Sequence, residues 1–483
     1  MISSRIFVRF SPFSSRNLVQ KRFLATVLSP STHVESENVK KRRMEIAGLK
    51  IRENPVVMKL DTPQYRAIFT EELEVLIGLF KKYDFELRLA GGPVRDLLME
   101  KIPSDLDFAT TATPSQMKEI FTKEGIRMIN SNGERHGTIT PRINDKANYE
   151  ITTLRIDVRT DGRHAEVEFT RDWLLDANRR DLTINSMFLG MDGTVYDYFY
   201  GYEDLMKRKV RFVGDAATRI QEDYLRILRY FRFYGRIATS PDDHEDETLR
   251  IIKENAAGLA KISGERIWME FKKILGGNFA CELTETMLKT DLGQYIGFSE
   301  HPNIAEFKRL WSKKDEFAEN YHHMTLTASL VNSPEEAIKL HERLKFSAYE
   351  RDLLYFIVAN REQMSKEENL IPFQQMCIQT IAKPSDQRGY VEELVKYLGK
   401  VELYKKLHAW EIPFFPVNGT LLKENGCPPG KWIGIVINKL KQIWAANEFK
   451  STQEELMKHL PEILKELNIE DGQVKKKPKI NKD

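Results

Sequence analysis

Cysteine is scarce, long apolar runs are missing, and neither sign of charge prevails. Cys281, Cys377 and Cys427 lie far apart in a chain of 483 residues with no ligand-like spacing. That excludes a disulfide framework and a cysteine-based zinc site, and it fits a reducing compartment. No stretch approaches the ~18 uninterrupted apolar residues of a bilayer span, so no membrane partner is expected. A net charge of +3 is too small to signal a polyanionic partner on its own; local clustering has to carry that case. Hydrophobic residues at 41% and charged residues at 30% describe a globular chain with length enough for several cores.

Acid is absent at the start: no Asp or Glu precedes Glu35, while Arg5, Arg9, Arg16, Lys21 and Arg22 alternate with serines and with Ile, Phe, Val and Leu. This is the composition of a mitochondrial presequence, and the mitochondrial matrix is the expected destination. Met44 follows Lys40-Lys41-Arg42-Arg43 and precedes the first well-patterned segment. Initiation there would give a second, cytoplasmic or nuclear form. The closing run from Lys475 to Lys479 reads as a solvated basic tail rather than a nuclear address.

What is present centres on Leu89–Pro114. Gly91 and Gly92 follow a short apolar run and precede Val94-Arg95-Asp96-Leu97-Leu98, so a strand is expected to end in a tight turn facing a helix N-terminus. Free N–H groups, the helix dipole and a forked donor from Arg95 suit a phosphate. In Asp105-Leu106-Asp107, residues two apart on a strand share a face, so the carboxylates converge while Leu106 and Phe108 pack beneath. Paired carboxylates beside a phosphate turn are what two Mg²⁺ ions need to hold a nucleoside triphosphate and an attacking hydroxyl.

Upstream, Tyr65 to Phe80 carries helical periodicity over 62–82, and 85–90 alternates like a strand. Pro114 opens a helix with Thr113 as its cap. Residues 137–140 and 149–155 alternate around an Asn144-Asp145-Lys146 turn and predict a hairpin. Glu150 falls beside the carboxylate strand and offers a third metal ligand, or a plain surface glutamate. The polar segment 157–169 reads as a mobile loop beside a site. In Ala177–Met187, Arg180 and Asp181 suit a triphosphate and a ribose, and Asn185 a ribose hydroxyl; a capped helix with surface ion pairs is the alternative. Residues 195–212 read as a hinge. Over 215–236 one amphipathic helix is expected, with Asp223, Arg226, Arg229 and Arg232 recurring every third residue. The arginines have no acid between them, which points to an anionic partner. Ser263 opens a further helix. Near Pro429 another begins, where Gly430 and Lys431 suit a backbone phosphate.

In this order the motifs resemble the class II CCA-adding tRNA nucleotidyltransferases of the polymerase β-like superfamily. They are Gly91-Gly92-Pro93-Val94-Arg95-Asp96 with Asp105-x-Asp107; Arg179-Arg180-Asp181-x-Thr183-x-Asn185; Asp197 to Asp204; Glu222-Asp223-x-x-Arg226; and Ser263 to Ile267. The resemblance runs from about Leu60 to Asn278 and more weakly over 415–434. It implies an α+β fold: a nucleotidyltransferase head with a small mixed, largely antiparallel sheet, then an all-α neck, body and tail. The boundaries expected are 1–43 for the presequence or disordered arm, 44–205 head, 206–277 neck, 278–380 body, 381–470 tail and 471–483 basic tail. It also implies Asp105 and Asp107 as Mg²⁺ ligands and catalytic residues, and Gly91, Gly92, Arg95 and Arg180 at the triphosphate. Asp223 and Arg226 would be an amino-acid template for the base, with Arg229 and Arg232 nearby. Ser186 stands where alanine is frequent. The implied partners are tRNA, CTP and ATP, with monomer or homodimer open. A poly(A) polymerase of the same superfamily and a catalytically silent tRNA-binding protein are the rivals. No His-Asp dipeptide follows residue 240, which argues against a tandem phosphohydrolase.

Overall fold

The computed structural model describes residues 36–129, 131–160, 165–378, 384–467, 469–470 and 473–474. Residues 1–35 and the lysine run from Lys475 lie outside the described residues, and so does any test of their targeting roles. Within the segment expected over 1–43 as a presequence or disordered arm, a helix begins at Glu37. In α1 (Glu37–Ala47), Ser36 caps by accepting the Val39 N–H at 3.2 Å. Val39 and Ile46, seven residues and two turns apart, are buried with Ile156 and Leu175. A mostly charged sequence hides that two-residue stripe.

The head holds β1 (Val56–Lys59), α2 (Pro63–Ala67), α3 (Glu71–Lys82), β2 (Leu87–Ala90), α4 (Gly92–Leu98), β3 (Asp107–Thr110), α5 (Pro114–Lys123), β4 (Arg127–Ile129), β5 (Thr138–Ile143), β6 (Ala147–Asn148) and β7 (Glu150–Thr153). After these come β8 (Arg155–Thr160), β9 (Ala165–Phe169), α6 (Trp173–Asn178), β10 (Phe188–Gly190), β11 (Thr194–Tyr196) and α7 (Gly201–Met206). Nine strands form one sheet in the order β1-β11-β10-β2-β3-β7-β5-β4, with β6 on β5. It is larger than expected, but mixed and largely antiparallel as expected: β3–β7 is its parallel pair, in the register Asp107↔Glu150. The single helix expected over 62–82 is two, because Thr62 caps α2 and Thr70 caps α3. Leu73, Leu76, Leu79 and Phe80 of α3 pack on the sheet, each such burial worth about 2 kcal/mol. The 138–153 hairpin forms as expected, with Asn144 and Asp145 both at positive φ in its turn. Thr113 caps α5 in a capping box with Gln116.

The segment expected as a loop over 157–169 is an antiparallel ribbon, β8 with β9. Ile156, Val158, Val167 and Phe169 supply a period-two pattern that the interspersed charges obscured. The hinge expected over 195–212 is tied down instead. Asp197 is fully buried and accepts the N–H groups of Phe199, Gly201 and Tyr202. A Cβ on Gly201 would sit 2.1 Å from the Thr183 carbonyl oxygen, so the glycine serves close approach.

The chain is helical from there: α8 (Ala216–Glu222), α9 (Arg226–Ile237), α10 (Asp246–Asn255), α11 (Gly264–Leu275) and the body helices. The helix expected over 215–236 breaks at Asp223, whose φ of −153° and ψ of 104° are extended. One continuous core joins head, neck and body from Leu60 to Leu407. A second, from Val417 to Ile463, belongs to the tail. The cores therefore divide after Leu407 rather than at 380. The tail helix expected near Pro429 starts at Lys431 and runs to Ala446, and a minute ribbon, Ile469–Glu470 with Gln473–Val474, follows in the tail expected to be all-α.

Candidate active site

β2 delivers the chain into Gly91, whose φ of 70° and ψ of −110° are closed to residues with a side chain. A Cβ there would lie 3.1 Å from Arg180 Nη1 and 3.3 Å from the Asn185 carbonyl oxygen. Gly92 begins α4. Arg95, expected to fork onto phosphate, is 2% exposed under this turn. Its Nη1 donates to Asn185 Oδ1 at 2.6 Å and its Nε and Nη2 to Asp96 Oδ1 at 3.2 and 3.0 Å. Burial lowers its pKa, with Asp96 opposing. Arg95 thus braces the turn from below.

The strand expected to carry both carboxylates begins one step later: Asp107 opens β3, and Asp105 lies in the bend before it, its Oδ2 accepting from Ser104 Oγ at 3.0 Å. Both are exposed, over a buried Phe108 and a half-buried Leu106. Desolvation and the neighbouring charges of Glu150 and Asp105 push the Asp107 carboxyl above its ordinary range, and Arg180 opposes them. Crowded hard oxygens of one sign suit a divalent cation. Among the described residues no three His, Cys, Asp or Glu groups converge as a metal cage. Glu150 faces Asp107 in register across the parallel β3–β7 pair, and its charge reaches that carboxyl.

Asp176, which sequence reasoning missed, organises the opposite wall. It is 1% exposed. Its Oδ1 accepts Arg179 Nε at 2.8 Å and the Arg155 N–H at 3.1 Å, and its Oδ2 accepts Arg180 Nε and Nη2 at 3.1 and 2.9 Å. Burial pushes its carboxyl up, yet Arg179 and Arg180 hold it at about 2. The signal was present in the i, i+3 and i, i+4 spacing to those arginines. Asn185 links the two sides, accepting from Arg95 and donating through Nδ2 to Asp181 Oδ1 at 3.3 Å.

From the neck, Asp223 Oδ1 accepts the Leu225 N–H at 3.1 Å, and Oδ2 pairs with Arg266 Nη2 at 2.8 Å. Arg226 donates to Glu222 Oε2 at 2.6 Å and to the carbonyls of Arg219 and Arg179 at 3.0 and 2.9 Å. The arginine row expected to lack acidic partners finds them on other elements: Arg229 with Asp181 at 2.6 Å, Arg232 with Glu270 at 3.1 Å and Arg236 with Asp96 at 2.8 Å. Pairing along one helix is visible in sequence; pairing across elements is not.

All these groups line one cleft of about 670 Å³: Gly91, Gly92 and Arg95; Asp105, Asp107 and Glu150; Arg180, Asp181 and Asn185; Asp223, Arg226, Arg229 and Arg232. This volume suits one nucleotide-sized ligand. Gly430 and Lys431 are not among its lining residues. Gly430 has φ 85° and caps the exposed start of the tail helix, where Lys431 Nζ lies 5.0 Å from the Trp432 ring centre.

Residues 87–211 match the family described as the poly A polymerase head domain, and 244–304 the probable RNA and SrmB-binding site of polymerase A. Over 409 residues the chain is 49% identical to the mitochondrial CCA tRNA nucleotidyltransferase 1 of Danio rerio, covering 84% of this chain and 94% of that one. Its human counterpart is 51% identical over 407 residues, covering 83% and 93%. The fold is similar to that of the Bacillus stearothermophilus CCA-adding enzyme in complex with CTP, with a TM-score of 0.63 and 26% identity over 84% of this chain and 99% of the other.

Proposed function

The chain belongs to the CCA tRNA nucleotidyltransferases, and on that premise we propose how its cleft divides the work. The enzyme adds C, C and A to the 3′ end of tRNA from CTP and ATP, without a nucleic-acid template, and releases pyrophosphate. The observation that carries the residue assignment is a single cleft with carboxylates on one wall and Asp223 and Arg226 on the other.

Gly91 and Gly92 bring bare backbone to the triphosphate, and Arg180, held flat by Asp176, meets its charge. Asp105 and Asp107 hold divalent metal, taken as Mg²⁺, with Glu150 as a further neighbour. The chemistry such a metal would supply there is acidification of the tRNA 3′-hydroxyl and neutralisation of charge on the pyrophosphate. Asp181 and Asn185 order the ribose side. Arg229 and Arg232, paired with Asp181 and Glu270, offer the nucleotide hydrogen-bond donors whose charge is already balanced.

Asp223 and Arg226 select the base. Each carboxylate oxygen has two lone pairs, so Asp223 still accepts from an exocyclic amino group after its contacts with Leu225 and Arg266. Cytosine N4 and adenine N6 offer that donor, and their ring nitrogens take one from Arg226. Uracil and guanine present a carbonyl there, and an acceptor facing a carboxylate leaves buried groups unpaired, which discriminates strongly. Gly430 and Lys431 are assigned to a tRNA backbone phosphate. Residues 1–43 are assigned to matrix targeting, with the Met44 form outside it. That form would lack most of α1.

A tRNA ending before its CCA, supplied with CTP and ATP, tests the reading. Two C's and one A followed by a stop are expected. A long A tract would mean a poly(A) polymerase, and tRNA binding without extension a silent binder. Asp105→Asn is expected to abolish extension and keep tRNA binding; retained activity sinks the metal assignment. The alternative is not favoured, because the head is common to both enzyme types, whereas near half-identity along most of the chain is to tRNA enzymes.

A further inference from the structure

Ser104, Asp105, Asp107 and Glu150 line two cavities. One is the cleft already described. The other, of about 710 Å³, opens from the same carboxylates over the β4 to β7 part of the sheet, and no neck residue is among the described residues that line it. Its remaining walls are Leu106, Ile129, Thr140, Asn148 and Tyr149. Tyr149 is buried and held in place, its hydroxyl 3.3 Å from Thr70 Oγ1 and its ring edge-on to Phe108 at 5.8 Å. Asn148 is exposed, and its Oδ1 accepts from Arg142 Nη1 at 3.0 Å, so the amide nitrogen is the end left for a ligand.

We propose that this second cavity seats the sugar and base of the 3′-terminal nucleotide of the tRNA, the one whose hydroxyl attacks. In an in-line displacement the attacking and leaving oxygens lie on opposite sides of the phosphorus, so two nucleotides have to reach one pair of carboxylates from different sides. The cleft with Asp223 and Arg226 takes the incoming one, and the cavity over β4 to β7 borders the same carboxylates without sharing that wall. Charge decides which part of the terminal nucleotide enters. Among the described residues lining the cavity there is no lysine or arginine, and three carboxylates border it, so it disfavours a phosphate and suits a ribose and a base. The terminal base changes as the reaction proceeds, being whatever ends the truncated tRNA at first and cytosine afterwards. Leu106, Ile129 and Tyr149 offer apolar contact to any base, and the Thr140 hydroxyl donates or accepts. No guanidinium is there to complete a reading pair with a carboxylate. Base choice is thereby confined to the incoming side.

This inference rests on Asp105 and Asp107 working at the attacking hydroxyl, and two readouts keep the claims apart. A tRNA lacking CCA, with 4-thiouridine at its 3′ end, is irradiated on the wild-type chain and the crosslinked residues are mapped. Crosslinks to Leu106, Ile129, Thr140, Asn148 or Tyr149 are expected; crosslinks elsewhere, or none, overturn the proposal. The crosslink needs no turnover. A chain that crosslinks there but adds no C overturns the functional reading and supports the seat, whereas one that completes CCA and crosslinks only to the neck overturns the seat alone. The second readout narrows the cavity. Asn148→Trp, at an exposed position, and Ile129→Trp are expected to lower kcat/KM for tRNA by about tenfold with CTP and with ATP alike, while calorimetric affinity for CTP stays within about twofold of wild type. Weakened CTP binding, or unchanged kcat/KM in both variants, overturns the proposal. A tRNA ending in an abasic residue needs less of the space, so its kcat/KM should fall by only about twofold between wild type and Asn148→Trp. An equal fall for both ends would mark a structural defect and overturn the seat. If neither variant folds, as read by thermal melting, the crosslink on the wild-type chain decides.

Discussion

Asp176 contacts no substrate, yet Arg155, Arg179 and Arg180 all lean on it. Its folded pKa of about 2 lies below the ordinary 3.8, so the unfolded chain binds the proton more readily. The sign follows: its contribution, about 2 kcal/mol, is complete above pH 4 and is lost as pH falls from about 4 through about 2. Asp176→Asn strands two half-buried guanidinium groups and should cost about 3 kcal/mol at pH 7 in urea unfolding, with the gap to wild type closing in that acid window. An equal gap at pH 7 and pH 2 would refute the assignment. At this scale the sequence singled out Asp105 and Asp107 by their spacing and offered Asp223 and Arg226 through the family resemblance, and the structure brings all four to one cleft. The sequence disclosed neither Asp176 nor the partners of the arginine row, because burial and contacts between distant elements decide those.

Elements place the residues, and the Gly91 turn does so most sharply. Its backbone is closed to an L side chain and its missing Cβ leaves room for Arg180. Gly91→Ala is expected to cost about 2 kcal/mol in thermal unfolding and to raise KM for CTP, since relief of the strain moves the arginine as well. A variant with unaltered melting and unaltered KM would mean that the turn tolerates a methyl group. Periodicity made most helices and the 138–153 hairpin legible. It failed where one pattern masked another. The helix of 215–236 hid an extended break at Asp223 because both flanks share one amphipathic phase, and the β8–β9 ribbon looked like a loop because charges crowd its alternate positions.

Over the whole molecule the cores do not follow the expected boundaries. Head, neck and body share one, and the tail keeps its own around Leu422, Val436, Leu440 and Trp444. Sequence cannot show this, since helix faces reveal that they are apolar and not what they meet. Leu440→Ala opens a cavity in the tail core worth about 2–5 kcal/mol. It should raise KM for tRNA while calorimetric binding of CTP stays as in the wild type. Weakened CTP binding would mean that the two cores are coupled.

The ion pairs of the cleft have a consequence for solution behaviour. Arg226, Arg229, Arg232 and Arg236 already carry carboxylates as built-in counterions. A nucleotide arriving there exchanges partners with the protein instead of displacing dissolved salt. The dependence of CTP affinity on salt concentration should therefore be shallow, well below the slope that four solvated arginines would give. A steep slope in titrations from low to high salt would show that the carboxylates do not serve as its counterions.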